Sequence, residues 1–143
     1  MAKWMYIVLR VLLGNGADAN AKHVNNWKTA LHHAAEPSRR GSDKGNAVRV
    51  LLEAGADIEA KTKDCSSTPV HLSACSRSST SGAILALLEG GADVNAEEVD
   101  RCPPLHLACA KSSVPAVELL LRWGANEKLV DSLGQTAADT LGS

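Results

Sequence analysis

The apolar residues of this chain fall into four stripes, each in the same register to a glycine that follows it. Counting back from Gly16, Gly55, Gly91 and Gly124, the seventh position holds Leu9, Val48, Ile84 and Val117. The fourth holds Leu12, Leu51, Leu87 and Leu120, and the third holds Leu13, Leu52, Leu88 and Leu121. Positions spaced in this way line one side of an α-helix. The pattern therefore predicts four amphipathic helices, each ended by a glycine suited to a left-handed cap. A polar stretch follows every one: "GNGADANAK", "EAGADIEAK", "EGGADVNAE" and "RWGANEKLV".

A second set of related segments alternates with the first: "KTALHHAA" from Lys28, "STPVHLSA" from Ser67, "PPLHLACA" from Pro103 and "QTAADTLG" from Gln135. Thr29, Thr68 and Thr136 suit the N-cap of a short helix, because a hydroxyl there accepts from backbone N–H groups that have no partner in the helix. Pro69 and Pro104 suit the first helical position, where the missing donor does no harm, and Pro115 opens a second helix in the same way. The small residues Ala34, Ala35, Ser73, Ala74, Ala108 and Cys109 let neighbouring helices approach closely. Each period thus reads as turn, short helix, loop, second helix, loop. One such unit cannot bury its apolar face alone, so the units are expected to stack into a solenoid.

The first stripe also reads like a targeting signal, with Lys3 before an apolar run from Trp4 to Leu13 and Ala17-Asp18-Ala19 after it. Its recurrence three more times assigns it to the fold instead. The longest apolar stretch is about half of the ~20 residues that a membrane-spanning helix needs. Composition narrows the picture further. A chain of 143 residues is one domain's worth. With no Phe and one Tyr its core must be aliphatic. A net charge of −1 gives no overall field to attract nucleic acid or anionic lipid.

The T-P-x-H and G-A-D-x-N-A segments, recurring in fixed order, resemble the ankyrin repeat over essentially the whole chain. The resemblance implies an all-α ankyrin-repeat solenoid of three complete repeats with a half repeat at each end. Its boundaries are expected at 1–22 for the N-terminal half, 23–61, 62–97 and 98–130 for the complete repeats, and 131–143 for the C-terminal half. Several features depart from the family pattern. The segment between helices at "EPSRRGSDKGN" carries about five extra residues, and "CSRSSTSG" about two. Trp27, Ser66 and Arg101 stand where the finger turn usually has glycine, so these turns are expected to adopt other conformations. Asp139 replaces the motif's histidine in the last unit.

The resemblance implies noncovalent protein recognition without catalysis or cofactor, in an intracellular compartment, through the finger turns and the exposed side of the first helices. Carried onto this sequence, the partner-binding positions are Asn25, Asn26, Trp27 and Lys28, then Asp64 and Cys65, then Asp100 and Arg101, with Glu36 and Lys111 at helix ends. Trp27 is the candidate anchor, since tryptophan contributes disproportionately at interfaces; packing on the next finger is the alternative. Arg39, Arg40 and Lys44 in one loop, with Arg77 in the next, form a basic group fit for an acidic or phosphorylated segment. "LEGGADVN" resembles ankyrin segments that are hydroxylated on asparagine, which marks Asn95.

The remaining candidates for chemistry are weaker. His32, His71 and His106 occupy one equivalent position in successive repeats, too far apart across stacked helices to share a zinc ion. The resemblance implies ring nitrogens bonded to neighbouring loop backbone. Cys65, Cys75, Cys102 and Cys109 show no CxxC spacing and are expected to stay reduced. A last expectation concerns assembly. Trp4, Met5, Ile7, Val8 and Val11 leave the first helix apolar on most sides, an association site by its chemistry. From the capping position to the glycine is 21 residues, as from Pro103 to Gly124. The C-terminal half repeat of one copy and the N-terminal half of another add up to about that length, which suggests a self-assembling scaffold with head-to-tail contact; the other alternative is a substrate-recognition fragment of a larger protein.

Overall fold

The structure, a computed structural model, describes residues 3–37, 44–76 and 81–141. Four helices correspond to the glycine-ended stripes: α1 (Lys3–Gly14), α3 (Gly45–Glu53), α5 (Gly82–Glu89) and α7 (Val114–Arg122). Three shorter ones begin at the threonine and proline segments: α2 (Ala30–Ala35), α4 (Pro69–Ala74) and α6 (Pro104–Ala110). A 3-10 helix, Ala138–Thr140, continues that second series, and the described residues contain no strand.

The helices form two rows. In the outer row α1 packs on α3, α3 on α5 and α5 on α7; in the inner row α2 packs on α4, α4 on α6 and α6 on the 3-10 helix. Within each unit α2 pairs with α3, α4 with α5 and α6 with α7. The stripes explain this layering. Val48, Leu51, Ile84, Leu87, Leu88 and Leu120 are buried in one continuous core. The small residues Ala34, Ala35, Ala74, Ala108 and Cys109 belong to the same cluster, on the crowded inner side. Where a stripe residue is not covered, it stays exposed: Leu12 is 54% exposed although its equivalents Leu51, Leu87 and Leu120 are at most 1% exposed. Among the described residues the main packing partner of α1 is α3.

Each outer helix ends as its glycine predicts. Gly91 has φ +92°, its N–H bonds to the carbonyl of Leu88 at 3.1 Å, and the next N–H, on Ala92, reaches back to Leu87 at 3.0 Å. This pair of bonds satisfies the last carbonyls of the helix, and only a residue free of Cβ reaches that φ without strain. The same bonds recur after α1, α3 and α7.

The finger turns overturn the expectation drawn from their missing glycines. Trp27, Ser66 and Arg101 hold φ values of 59°, 55° and 57°, the left-handed conformation that Gly134 adopts at the equivalent place with 75°. The turns therefore keep one shape, and the side chains bear the strain. Backbone pairing between fingers imposes it: Lys63 N–H bonds to Asn26 O at 3.0 Å, Val99 N–H to Cys65 O at 2.9 Å, and Ser132 N–H to Asp100 O at 2.9 Å. A non-glycine residue in this region costs ~1–2 kcal/mol, part of which glycine's greater chain entropy takes back. Arg101→Gly is accordingly expected to stabilise the protein by about 0.5–1 kcal/mol in urea unfolding. The lost ion pair to Glu97, at 3.9 Å and solvent-exposed, offsets little of this. Unchanged or lower stability would show that the turn is not strained.

Candidate partner-binding surface

The inner row is tied to the fingers by three histidines. In α2, His32 is fully buried; its Nδ1 lies 3.1 Å from the Thr29 N–H and 3.0 Å from the Thr29 hydroxyl. Its Nε2 lies 3.1 Å from the carbonyl oxygen of Ser67, in the next finger. A carbonyl only accepts, so Nε2 carries the proton and Nδ1 is the acceptor for threonine's two donors. His71 repeats the arrangement with Thr68 at 3.2 and 2.8 Å and with the Cys102 carbonyl at 3.1 Å. Burial lowers the pKa of both rings, and the carbonyl bonds to Ser67 and Cys102 only partly oppose it. The sequence expectation of backbone-bonded rings therefore holds.

The third histidine is incomplete. His106 Nε2 donates to Gln135 O at 2.8 Å, but its buried Nδ1 has no hydrogen-bond partner. Pro103 occupies the threonine position and offers neither an N–H nor a hydroxyl. In the last unit Asp139 takes over the capping half of the role, its Oδ2 accepting from both the N–H and the hydroxyl of Thr136 at 2.9 Å.

On this scaffold the predicted partner residues take different states. Asn25, Asp64, Cys65, Asp100, Arg101 and Lys111 are exposed, and Asn26 is half-buried, its side-chain oxygen accepting from Lys28 N–H at 3.0 Å. Trp27 is 46% exposed, with the Lys22 ammonium 5.6 Å from its ring centroid. Lys28 and Glu36 do not face outward as two free charges, because they form an ion pair with each other. Burial raises the Glu36 pKa, but the Lys28 hydrogen bond and charge outweigh that and hold it low. Lys44, read with the basic group, donates to the carbonyls of His33 at 3.2 Å and Glu36 at 3.3 Å beyond the end of α2. Arg39, Arg40 and Arg77 lie outside the described residues, as do the side chains of Trp4 and Met5. Ile7, Val8 and Val11 are exposed on α1 as expected.

Sequence reasoning missed Glu98. It opens a finger at the place where Thr62 and Asp131 brace their own turns, and its Oε2 accepts the Ser67 hydroxyl at 2.5 Å from the preceding finger. Burial and the Glu98 charge raise the pKa of the Cys102 thiol to about 12 and also raise that of Cys75; burial alone raises Cys109. These thiols stay protonated and are poor nucleophiles. All four cysteines are unpaired.

A further set of side chains ties the loops that follow the outer helices. Asn20 Oδ1 accepts from Asp57 N–H at 2.6 Å, Glu59 Oε1 from Asp93 N–H at 2.6 Å, and Asn95 Oδ1 from Asn126 N–H at 2.8 Å. Asn95, marked by resemblance for hydroxylation, is thus a half-buried rung between units. Glu59 performs the same task as a carboxylate.

Two rows of short helices, joined by paired fingers and carrying no group of three or more metal-ligating side chains among the described residues, define a helical repeat solenoid. The chain belongs to the ankyrin-repeat family: the family model "Ankyrin repeats (3 copies)" matches residues 3–98 and again 38–131. Ankyrin repeats are generally protein–protein interaction modules and typically not enzymes. No described helix is long and apolar enough to cross a membrane.

Proposed function

We propose that this chain recognises a protein partner along the finger ridge and the adjoining ends of the inner helices, with Trp27 as the anchor. The observation that carries this reading is the tryptophan itself: a large ring left half-exposed on a strained turn whose direction the backbone fixes. A pre-positioned aromatic loses little freedom on binding, which makes its buried area count fully. The ridge presents exposed charges of both signs, Lys22, Lys61, Lys63 and Arg101 beside Asp64, Glu97 and Asp100, which fits a partner segment of mixed charge. Arg39, Arg40 and Arg77 are proposed to steer an acidic stretch of it, so their reversal slows association and flattens its salt dependence. Four unpaired cysteines fit a reducing compartment, the cytoplasm or nucleus.

The test is to capture partners on the immobilised chain and titrate the recovered partner against Trp27→Ala. A loss of ~2 kcal/mol or more, about 30-fold in Kd, is expected. Wild-type affinity in that variant removes Trp27 from the site.

A further inference from the structure

A small cleft opens between the end of α4 and the starts of α5 and α7, and four of its seven lining residues are serines: Ser73, Ser76, Ser81 and Ser113. Two of them hold N-cap positions, Ser81 before α5 and Ser113 before α7, and neither hydroxyl caps its own helix. The reason is backbone geometry. A capping residue is extended, as Thr29 and Thr68 are with ψ of 172° and 166°. Ser81 and Ser113 have ψ of 14° and 88°, so their hydroxyls do not reach back to the helices they precede. Ser113 is 4% exposed, yet its hydroxyl has no hydrogen-bond partner among the described residues. Ser73 differs, because it donates to the Val70 carbonyl at 2.9 Å. The backbone adds a donor. Leu85 and Val117 N–H take the carbonyls of Ser81 and Ser113 at 3.0 and 2.9 Å, which starts each helix and leaves its earlier N–H groups over. At α7, Pro115 has no N–H to give, while Ala116, 4% exposed, has one and lines the cleft. The cleft's volume, about 10 Å³, admits one water-sized group.

From this we infer that the cleft is a binding site for a carboxylate, one oxygen of which enters it and accepts from the Ser81 and Ser113 hydroxyls and the Ala116 N–H. No finger residue lines the cleft, so the inference goes beyond the recognition ridge and stands without Trp27. The donors left over are matched by an acceptor, and the electrostatics favour a charged one. Two helix N-termini meet here, each with partial positive charge. Lys111 adds a full charge close by: it is exposed, and its ammonium pulls down the pKa of the Cys75 thiol beside Ser76, although burial and Glu98 raise that pKa on balance. Glu98, the acid nearest this group, already accepts from Ser67. The size of the cleft lets a carboxylate enter end-on, with the rest of its molecule outside. Two sources supply such a group: a small free acid, or an Asp or Glu side chain of a bound protein.

Titration of sodium acetate into the isotope-labelled full chain, followed by amide NMR shifts, tests this, with sodium chloride at matched ionic strength as reference. The expected result is a saturable shift centred on the Ala116 amide, with a millimolar Kd, that chloride does not produce. Ser81→Ala combined with Ser113→Ala should weaken acetate binding by ~10-fold or more, since hydrogen bonds to a charged acceptor are the strong ones. Neither hydroxyl caps a helix, so in chloride the double variant should keep the wild-type thermal midpoint. It should lose only the rise in midpoint that acetate gives the wild type. N-acetylglutamate methylamide separates the two sources: binding tighter than acetate assigns the site to a partner's side chain, and weaker binding assigns it to a small free acid. Three results overturn the proposal: no saturable shift, a shift that chloride reproduces, or acetate affinity that the double variant retains. Any of them leaves the cleft to water.

Discussion

Replacing His71 with alanine is expected to lower stability by about 4 kcal/mol, measured by urea unfolding. The ring is fully buried and joins α4 to the finger beyond it through Thr68 on one side and Cys102 on the other. Removing a large buried side chain costs ~2–5 kcal/mol, and the unpaired Thr68 N–H and Cys102 carbonyl add to that. The same ring predicts a pH dependence. Burial lowers the folded-state pKa of His71 and His32 below the ordinary 6.5. The unfolded chain therefore binds protons that the folded one refuses, because Nδ1 already receives two donors. Stability should be fully present above pH ~6.5 and fall below it, by up to ~1.4 kcal/mol per pH unit for each histidine. Glu36, held below the usual carboxylate range, contributes only at still lower pH. Glu59, raised by burial against the pull of the Asp93 N–H, works in the opposite sense. His71→Ala should remove about half of the histidine slope. A profile flat from pH 7 to 5 would contradict the buried neutral rings.

Leu87→Ala should cost about 3–4 kcal/mol, whereas Leu12→Ala should cost under ~0.5 kcal/mol. The two leucines hold the same place in the repeat, four residues before the glycine of their units. They differ in surroundings: Leu87 is in α5, with α3, α4 and α7 packed around it, while Leu12 sits on the bare side of α1. Equal unfolding free energies for the two variants would mean that the α1 face is covered in solution. Done at low and high protein concentration, the Leu12 measurement also shows whether that face is buried by association, since burial in an intermolecular contact makes stability depend on concentration.

Much of this architecture is legible in the sequence because a repeat writes the same physics several times. The position of Leu51 alone says little, but Leu51, Leu87 and Leu120 in one register identify a helix face, and Gly16, Gly55, Gly91 and Gly124 identify its end. The histidines are legible for the same reason. What one sequence cannot show is a substitution that keeps the shape while changing the residue. Trp27, Ser66 and Arg101 looked like altered turns, yet inter-finger hydrogen bonds hold them in glycine's conformation. Lys28 and Glu36 are eight residues apart and read as separate contacts, because they flank α2 at its two ends and local pattern does not show the lysine reaching along it. Glu98 was missed because its partner, Ser67, lies in another unit. Pro103 fits a helix start, and only the structure shows that it deprives His106 of its two donors.

The backbone bonds between Asn26 and Lys63, Cys65 and Val99, and Asp100 and Ser132 join one finger to the next without using any side-chain atom of these residues. The spacing of the ridge is therefore indifferent to which side chains these residues carry. Mutation there can exchange charge for bulk or bulk for polarity, and the fingers stay where they are. Positions 64, 65 and 100 are free to drift in this way, while the buried threonine and histidine beneath them are not. Selection can thus retarget the ridge one residue at a time, with each intermediate still folded.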